Sequence, residues 1–459
     1  MKDLNDIKAV YMIGIGGIGM SALARYFHGL GKSVSGYDRT ATNLTAELQQ
    51  AGIDVHYGND VEHIPETFKN DDYRKQTLVI YTPAVPGGNA ELRYFRDSGH
   101  RVMKRSEVLG ELSRTYRTIA IAGTHGKTTT GSILAHLLRS SSMDCTAFLG
   151  GISSNYNTNL LTSANSELLV VEADEFDRSF LTLSPEIAVI TSVDADHLDI
   201  YGSTEEMLGS FHDFTLRINE NGTLIYRYGL PLNKISRRNL TYSLKERCDY
   251  YSTALTIDAG QYVFNLTGPG GLISDLRFGM PGIHNVENAI AAFAAADQLG
   301  LSETEVRNGL ATYKGVKRRF DVHIRSDELV YIDDYAHHPT EIAACIHSVR
   351  ELFPDRRVKG IFQPHLFSRT RDHMDGFAES LGLLDGLILL DIYPAREKPM
   401  EGITSAALLD RVALRSKQLL SMEQTIANIS VENTDVLLTL GAGDIDQLVN
   451  PIINKLKIP

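Results

Sequence analysis

The chain has 459 residues, of which 43% are hydrophobic and 22% are charged, and its formal net charge at pH 7 is -12. This length exceeds what one hydrophobic core supports, so two to four domains of ordinary globular composition are expected, and three is the preferred number. The acidic balance argues against non-specific binding to nucleic acid or to a membrane surface.

The cysteines and the N-terminus indicate the compartment. Cys145, Cys248 and Cys345 are widely spaced and form no C-x-x-C pair, which indicates reduced structural thiols and fits a cytoplasmic location. The first residues lead directly into a short apolar strand rather than into a secretory leader. No apolar run approaches the roughly 18 residues of a transmembrane helix, so no membrane insertion is expected.

Short apolar runs alternate with segments of helical periodicity along most of the chain. This alternation predicts an α/β fold with mainly parallel sheets. Residues 222–277 are richer in Gly, Thr and Tyr, which indicates an antiparallel sheet edge. The runs predicted to be buried strands are residues 10–13, 78–81, 119–122, 168–171, 187–191, 330–332, 360–362, 387–390 and 436–440.

Two changes in this pattern divide the chain. The first lies near residues 104–107, before the helical stretch that leads to a second glycine-rich loop, and the second is a basic linker near residues 313–319. We therefore expect domains at residues 1–106, 107–317 and 318–459.

The first predicted strand runs directly into a glycine-rich turn and an amphipathic helix. Gly14, Gly16, Gly17 and Gly19 form the pattern G-x-G-x-x-G in its strand–turn–helix context. Such glycines let the backbone approach a diphosphate, and the helix N-terminus supplies about half a positive charge. Asp38 ends the next strand, where an acid could meet a ribose hydroxyl. NAD is the default ligand of this pattern, but the rest of the chain favours a UDP-linked substrate. The third alternative is a glycine turn that binds no ligand.

A second strand–turn–helix segment has the character of a phosphate-binding loop. Its backbone amides and Lys127 can cradle ATP phosphates, and the Thr128 hydroxyl can ligate Mg²⁺. The full Walker pattern would place a glycine where this chain has Ile121, so the loop is the short form G-x-x-G-K-[ST]. A Gly-Lys-Thr triplet is common by chance, but this one follows a strand and precedes a helix. The candidate nucleotide-binding residues are Gly123, Thr124, His125, Gly126, Lys127, Thr128 and Thr129.

Acidic residues and a histidine follow two successive predicted strands. Glu172 opens the acidic stretch after residues 168–171, and His197 lies in the stretch Asp-Ala-Asp-His-Leu-Asp at residues 194–199. Ligands of open α/β sheets lie at the carboxyl ends of strands, so these groups are suited to holding Mg²⁺ against ATP phosphates. The alternative is a pair of exposed acidic turns with solvated charges.

Polar motifs recur in the last third of the chain. Asn288 precedes an apolar helix, where it could contact a purine or simply cap the helix. Arg319 lies in the basic linker, where it could reach a transferring phosphoryl group on domain closure or remain a solvated charge. Two more motifs follow strands, at residues 333–341 and 363–371. The adjacent histidines of the first motif would seldom share one metal ion, so positioning or hydrogen-bonding roles are expected.

Taken in order, these motifs resemble the Mur ligase family, and the resemblance extends over essentially the whole chain. Each motif alone is a weak signal, whereas the ordered set is highly specific. The resemblance implies three domains: a Rossmann-like domain that binds a UDP substrate, a central P-loop ATPase domain with a mainly parallel sheet, and a Rossmann-like C-terminal domain. The motifs are residues 14–21, 123–130, 172–177, 194–199, 284–289, 319–320, 333–341 and 363–370.

The resemblance also implies roles for individual residues. The loop at residues 14–19 would hold the UDP diphosphate. Lys127 and Thr128 would bind ATP and Mg²⁺, and Glu172 and His197 would complete the metal site. The distal residues would be Asn288, Arg319 and Asp334 for the nucleotide, and Tyr335, His337, His365 and Arg369 for the amino acid or the muramoyl end.

The activity that the resemblance implies is ATP-dependent ligation of L-alanine to the carboxylate of UDP-N-acetylmuramate through an acyl phosphate, an early cytoplasmic step of peptidoglycan synthesis. Lys127, Arg319 and Mg²⁺ would neutralise charge that develops on the phosphoryl oxygens. No dedicated general base is evident, and His197 and His338 are the candidates for taking the amine proton. The chain would act as a monomer or a weak homodimer.

Other activities stay open at this point. A sister ligase that adds a different amino acid or peptide is the nearest alternative, although residues 194–199 and the lack of a lysine between Asp199 and Arg217 favour L-alanine. A nicotinamide oxidoreductase would leave the second loop without a role, and a nucleotide-driven switch would hydrolyse ATP without other substrates. Residues 57–59 are Tyr-Gly-Asn where similar enzymes often have Gly-His, which leaves the uridine contacts open.

Overall fold

The structure is a computed structural model that describes residues 4–194, 198–232, 238–395, 397–430 and 434–456. The chain divides into two compact units. The first comprises Met1–Ser252, Leu266–Ile273 and Ala289–Leu310, and the second comprises Thr253–Asn265, Ser274–Asn288 and Ala311–Pro459.

The amino-terminal segment alternates strands and helices. Its central strand is wholly buried, as expected of a parallel sheet covered by helices on both faces. The elements are β1 (Ala9–Ile13), α1 (Ile18–Gly29), β2 (Ser33–Tyr37), α2 (Asn43–Gln50), β3 (Asp54–His56), α3 (Glu66–Lys69), α4 (Asp71–Arg74), β4 (Thr77–Tyr81), α5 (Ala90–Asp97) and β5 (Arg101–Lys104).

These strands form one parallel sheet in the order β3-β2-β1-β4-β5. The order of the strands reverses between β1 and β4. Ligands of open α/β sheets bind in the crevice at such a reversal, beyond the carboxyl ends of the strands. The turn after β1, which carries the first glycine motif, therefore lies at the expected binding edge.

The central segment continues the alternation and ends in a strand-rich region and two helices. The elements are α6 (Arg105–Thr115), β6 (Arg117–Ala122), α7 (Lys127–Arg139), β7 (Thr146–Ser153), β8 (Thr158–Leu161), β9 (Leu168–Ala173), β10 (Ile187–Ile190), α8 (Leu198–Tyr201), α9 (Thr204–Thr215), β11 (Thr223–Arg227), β12 (Arg238–Ser243), β13 (Tyr250–Asp258), β14 (Gln261–Gly268), β15 (Gly271–Phe278), α10 (Ile283–Leu299) and α11 (Glu303–Thr312).

The sheet of this segment has ten strands in the order β15-β14-β13-β12-β11-β10-β6-β9-β7-β8. Strand β6 lies between β10 and β9 and is parallel to both, so the turns after these three strands meet at one edge. Two-residue connections join β13 to β14 and β14 to β15, and connections this short join only antiparallel strands. The antiparallel edge expected within residues 222–277 is thus present.

Helix α1 of the amino-terminal segment packs against β7 and β8 within the first unit. The buried Asn159 amide on β8 donates to the Ile18 carbonyl at 2.6 Å and to the Ser21 hydroxyl at 2.9 Å. One hydrophobic cluster also includes residues of both the amino-terminal and the central segments, such as Leu23 of α1 and Phe148 of β7. These contacts fix the start of α1, and hence the glycine turn before it, against the central sheet.

The carboxyl-terminal segment, in the second unit, forms a six-stranded sheet in the order β16-β17-β21-β18-β19-β20, in which only the β16–β17 pair is antiparallel. Apolar clusters cover both faces of this sheet. The elements are β16 (Asp321–Arg325), β17 (Val330–Asp334), α12 (Pro339–Leu352), β18 (Val358–Phe362), α13 (Phe367–Asp372), α14 (Met374–Leu381), β19 (Gly386–Leu389), α15 (Ser405–Arg411), β20 (Lys417–Leu419), α16 (Met422–Asn428), β21 (Val436–Leu440) and α17 (Val449–Leu456).

The α/β class with mainly parallel sheets is confirmed, and each strand predicted from the sequence overlaps an observed strand. The three cysteines are free thiols. In the part of the chain that the structure describes, no helix combines the length and the apolar character that crossing a bilayer demands.

Candidate active site

The first glycine turn connects β1 to α1 and is shaped by its neighbours. Gly14 has a left-handed φ of 85°, and a Cβ atom there would lie 2.5 Å from the Thr82 methyl group after β4. The Gly16 amide donates to Asp38 Oδ2 at 2.8 Å, and the Thr40 amide donates to Asp38 Oδ1 at 3.1 Å. Asp38 Oδ2 therefore organises the glycine turn, and Oδ1 organises the loop after β2. The predicted contact of Asp38 with a ribose stays a prediction.

The second glycine turn connects β6 to α7. Gly123 and Gly126 have φ of 129° and 83°, values that favour glycine. The Thr124 hydroxyl donates to the Asp194 carbonyl at 2.8 Å, and the His125 amide donates to the Ser192 hydroxyl at 2.8 Å. The segment after β10 thus supports this turn. Helix α7 begins at Lys127, so the amides of its first turn, which includes Thr128 and Thr129, face the turn.

Lys127 forms a buried ion pair with Glu175. Its ammonium donates to the two Glu175 carboxylate oxygens at 2.8 and 3.0 Å and to the Gly123 carbonyl at 2.6 Å. The side chains of Lys127 and Glu175 are only 13% and 1% exposed. Burial by itself lowers the pKa of Lys127, but the carboxylates of Glu175, Glu172 and Asp174 together raise it above the ordinary lysine value. Burial raises the pKa of Glu175, and Lys127 opposes that rise. The short two-oxygen contact and the raised lysine pKa favour a charged pair.

Glu172 and Thr128 form a compact group of oxygen donors beside this pair. The Thr128 hydroxyl lies 3.1 and 3.0 Å from the two Glu172 oxygens. Gly150 on β7 leaves room there, because a Cβ atom at Gly150 would overlap Glu172 and lie 2.8 Å from the Thr128 hydroxyl. A hydroxyl and a carboxylate in such a space suit a hard cation such as Mg²⁺. His197, the third predicted ligand, lies outside the described residues. Within the described ranges, no group of three or more His, Cys, Asp or Glu side chains is arranged to hold a metal.

A cleft of about 260 Å³ lies between the first glycine turn and this oxygen group. Both walls belong to the first unit. One wall includes Gly17 and Gly19 at the start of α1, and the other includes Gly150, Glu172 and Asp174. A molecule held by its diphosphate on the glycine turn could therefore extend toward Thr128 and Glu172.

In the second unit, Asp334 at the end of β17 binds the turn that precedes β16. Its carboxylate accepts from the Phe320 amide at 2.7 Å and from the Ala336 amide at 2.8 Å. Burial raises the pKa of Asp334 to about 6, although Arg319 and the two amides oppose the rise. The Arg319 guanidinium lies 4.9 Å from the centre of the Tyr335 ring. The structure thus brings together Arg319, Asp334 and Tyr335.

Glu341 in the first turn of α12 connects this group to His337. Its carboxylate accepts from the His337 amide at 3.1 Å, and the His337 ring nitrogen Nδ1 lies 3.2 Å from the same oxygen. Arg319 lies 4.0 Å from the other oxygen of Glu341. Burial lowers the pKa of His284 to about 4, and Glu341 and Arg319 are the charged groups that act on it. Asn288, one turn further along α10, donates to the Asn285 side chain at 3.3 Å.

The remaining predicted residues of the second unit also lie near one another. The His365 ring lies 6.3 Å from the His337 ring, and His365 Nδ1 lies 3.2 Å from an Arg369 nitrogen. His338 is buried at the start of α12, where its Nδ1 accepts from the Thr340 amide at 3.3 Å. The assignment of His338 as the group that takes the amine proton stays a prediction.

Three charged residues of these sites had no individual role in the sequence analysis. Glu175 and Glu341 were part of recognised motifs, but the sequence does not show which acid of a run pairs with a cation. Arg105 begins α6 directly after β5 and lines the cleft described above. Strand β5 was not predicted, so the position of Arg105 at a strand end could not be inferred.

Comparison with known proteins identifies the relatives of the chain. Residues 121–296 match the profile of the Mur ligase middle domain, residues 9–117 match the Mur ligase family catalytic domain, and residues 318–443 match the Mur ligase glutamate ligase domain. Three successive family domains therefore cover most of the chain, in the order expected from its motifs.

A UDP-N-acetylmuramate–L-alanine ligase of Parabacteroides distasonis is 50% identical over 453 residues, which is 98% of this chain and 97% of that protein. The crystal structure of the UDP-N-acetylmuramate-alanine ligase from Thermotoga maritima is similar with a TM-score of 0.81 and 28% identity, over 97% and 98% of the two chains. The murein peptide ligase of Psychrobacter arcticus shares the fold, with a TM-score of 0.72 and 24% identity over 98% and 99% of the two chains. Because identity of this extent spans nearly the full length, the chain belongs to the Mur ligase family.

Proposed function

We propose that this chain is an ATP-dependent ligase that joins L-alanine to the carboxylate of UDP-N-acetylmuramate through an acyl phosphate, in peptidoglycan synthesis. The observation that carries the proposal is the cleft that runs from the first glycine turn to Glu172, because Glu172 contacts Thr128, which follows Lys127 at the start of the second turn's helix. The names of the relatives that match over the full length support the choice of substrates.

The UDP substrate would bind to the turn after β1. Gly14, Gly16, Gly17 and Gly19 leave its backbone accessible, and the amides at the start of α1 would donate to the diphosphate. Asp38 would stabilise the conformation of the turn by accepting a hydrogen bond from the Gly16 amide. The muramoyl end would then lie in the cleft, with its carboxylate directed to the ATP site.

ATP would bind to the second turn, with its β- and γ-phosphates on Lys127 and on the amides from Gly123 to Thr129. Mg²⁺ would be held by Thr128 and Glu172, with His197 as the further predicted ligand, and when bound it would neutralise charge on the phosphates. The ammonium of Lys127 pairs with the Glu175 carboxylate. Binding of the triphosphate would therefore exchange one anionic partner of Lys127 for another.

The proposed ligation has two steps. A carboxylate oxygen of the muramoyl group attacks the γ-phosphorus, and ADP leaves, which gives the acyl phosphate. The L-alanine nitrogen then attacks the acyl carbon, phosphate leaves, and the nitrogen loses a proton to His197, His338 or solvent. Lys127 and Arg319 would stabilise charge on the transferring group, and the fixed positions of the reactants would lower the barrier further.

The second unit would supply the remaining contacts. Asn288, Arg319 and Asp334 would contact the nucleotide, and Tyr335, His337, His365 and Arg369 would contact the amino acid or the muramoyl end. Their mutual proximity supports one shared site, because Glu341 links Arg319 to His337. We propose the domain limits 1–106, 107–317 and 318–459 for the UDP, ATP and closing domains.

We also propose that the reaction takes place in the cytoplasm, which the three free thiols support. The protein would act as a monomer or a weak homodimer. Neither nucleic acid nor a membrane is proposed as a partner.

Phosphate release from ATP tests the proposal directly. The purified chain would be mixed with ATP, Mg²⁺, UDP-N-acetylmuramate and one amino acid at a time. We expect release that requires the UDP substrate and is fastest with L-alanine, together with a UDP product heavier by one alanyl residue. Release without the UDP substrate would contradict the proposal and favour a nucleotide-driven switch. Release that requires another amino acid or a peptide would identify a sister ligase instead.

A further inference from the structure

The cleft between the first glycine turn and Glu172 contains one guanidinium. Arg105 is the first residue of α6 and follows β5, whose last residue Lys104 pairs with Tyr81 of β4. This places Arg105 at the carboxyl edge of the amino-terminal sheet, the edge at which the first glycine turn lies. Among the described residues that line the cleft, Arg105 is the single cation.

The Arg105 side chain extends across the start of α1. A Cβ atom at Gly19 would lie 2.5 Å from Arg105 Nη1 and 3.2 Å from both its Cδ and its Cζ atoms, so the guanidinium lies directly against Gly19. Arg105 Nη2 also donates to Asp174 Oδ2 at 3.3 Å. Gly19 and Asp174 lie on opposite walls, so the guanidinium spans the cleft.

Arg105 is the one described side chain of this lining that can attract an anion. The other ionisable groups of its lining, Glu172 and Asp174, are both acidic and would repel a diphosphate. The start of α1 supplies only about half a positive charge, and the turn from Gly14 to Gly19 contains no basic residue. A guanidinium can donate two parallel hydrogen bonds to phosphate oxygens, a geometry that a backbone amide alone does not provide.

The ion pair between Arg105 and Asp174 is weak enough for a substrate phosphate to take the place of Asp174. Its nitrogen–oxygen distance of 3.3 Å is long for a charged pair, and the two side chains are 22% and 38% exposed. Ion pairs this accessible contribute little to stability, so a substrate phosphate could replace Asp174 at small cost.

We propose that Arg105 is the side-chain ligand of the substrate diphosphate, and that Asp174 is its partner until the substrate binds. This inference rests on the proposed function, since it assigns a residue to the UDP site of that function. Arg105 would supply to the first turn the positive charge that Lys127 supplies to the second.

Binding of UDP tests this assignment, because UDP carries the diphosphate but neither the sugar nor the carboxylate. Calorimetric titrations of UDP and of UDP-N-acetylmuramate would compare the wild-type chain with Arg105→Ala and Arg105→Lys. We expect Arg105→Ala to raise both dissociation constants about 10- to 100-fold by the same factor, and Arg105→Lys to raise them less. Asp174→Asn should bind UDP as tightly as the wild type or more tightly.

Arg114→Ala is the matched control, since Arg114 lies on the same helix, is exposed and does not line this cleft. It should leave both dissociation constants unchanged. Unchanged UDP binding by Arg105→Ala would overturn the inference while wild-type ligation still supports the proposed function. A loss confined to UDP-N-acetylmuramate would overturn it too, because the guanidinium would then bind the sugar or its carboxylate. Weaker UDP binding by Asp174→Asn would contradict the exchange.

Discussion

The two glycine turns of the first unit share one backbone plan but differ in how a positive charge reaches the ligand. The second turn contains its own cation, Lys127, which is buried and paired with the buried Glu175. The first turn has no cation of its own, and the nearest one in the cleft is Arg105, from the start of a different helix. A strand–turn–helix unit thus fixes amides in space, whereas the charge can come from within the turn or from a neighbouring element.

Lys127 and Arg105 differ in burial, and this difference explains why Lys127 has a fully buried carboxylate partner whereas Arg105 has a partly exposed one. Removing one member of a buried ion pair leaves an uncompensated charge, so a buried Lys127 without Glu175 would be costly. Arg105 and Asp174 are partly exposed, so water can stabilise either of them alone. We therefore expect substitutions in the second turn to affect both folding and catalysis, and substitutions at Arg105 to affect mainly binding.

The largest effect is expected for Lys127→Ala. Ligation should fall by about 10³-fold or more, because the cation on the transferring phosphoryl group is lost. The free energy of unfolding should also fall by about 3–5 kcal/mol, because Glu175 stays buried without its partner. Steady-state turnover and denaturant unfolding would measure the two losses.

The double variant Lys127→Ala, Glu175→Gln separates these two effects. Replacing the carboxylate with an amide removes the uncompensated charge, so most of the lost stability should return while turnover stays low. If turnover returned together with stability, Lys127 would have a structural role only. UDP binding should survive in both variants, since the first turn does not use Lys127.

A smaller effect is expected for Gly150→Ala, which fills the space beside Thr128 and Glu172. The added methyl group would displace the Glu172 carboxylate, so the Mg²⁺ concentration for half-maximal activity should rise about 10- to 100-fold. Gly87→Ala is a matched control, because a Cβ atom at Gly87 meets no neighbour within 4 Å. An unchanged Mg²⁺ requirement in Gly150→Ala would argue against a metal at these two residues.

The smallest effect is expected at Glu91, a buried residue of α5 in the amino-terminal segment. Tyr11 donates to its carboxylate at 2.8 Å, and burial raises the pKa of Glu91 from the ordinary 4.5 to about 7. Between these two values the folded chain holds a proton that the unfolded chain has released, so stability falls as the pH rises. That fall should amount to about 1–3 kcal/mol.

Glu91→Gln should remove this fall, which unfolding measurements at pH 5 and at pH 8 would detect (roughly the limits of the titration). UDP and ATP affinities should stay as in the wild type. A loss of either affinity would show that binding at the turns depends on stability elsewhere in the sheet, and would weaken the contrast between the two turns.

The sequence predicted those parts of the structure that depend on local patterns. The strand Val436–Leu440 and the glycine turn before Lys127 follow from apolar runs and from strand–turn–helix order. The hairpin of β7 and β8 was not predicted, because Gly150 and Gly151 interrupt its apolar pattern. It nevertheless supplies Asn159, which fixes the start of α1.

Long-range pairs were the other feature that the sequence did not reveal. Lys127 and Glu175 are 48 residues apart, and several acids near Glu175 are equivalent by residue type alone. Only the three-dimensional arrangement distinguishes Glu172, beside the Thr128 hydroxyl, from Glu175, beside the ammonium. Arg105 likewise stands in an ordinary charged stretch of the sequence, and only the structure shows its guanidinium beside Gly19.

Simultaneous binding of the two nucleotides tests the central claim most directly. A non-hydrolysable ATP analogue with Mg²⁺ would be titrated into the wild-type chain, alone and after saturation with UDP. If the two turns bind separate nucleotides, the analogue should bind one site, and saturation with UDP should change its affinity little. Lys127→Ala should still bind UDP. Competition between UDP and the analogue, or loss of UDP binding in Lys127→Ala, would contradict the account.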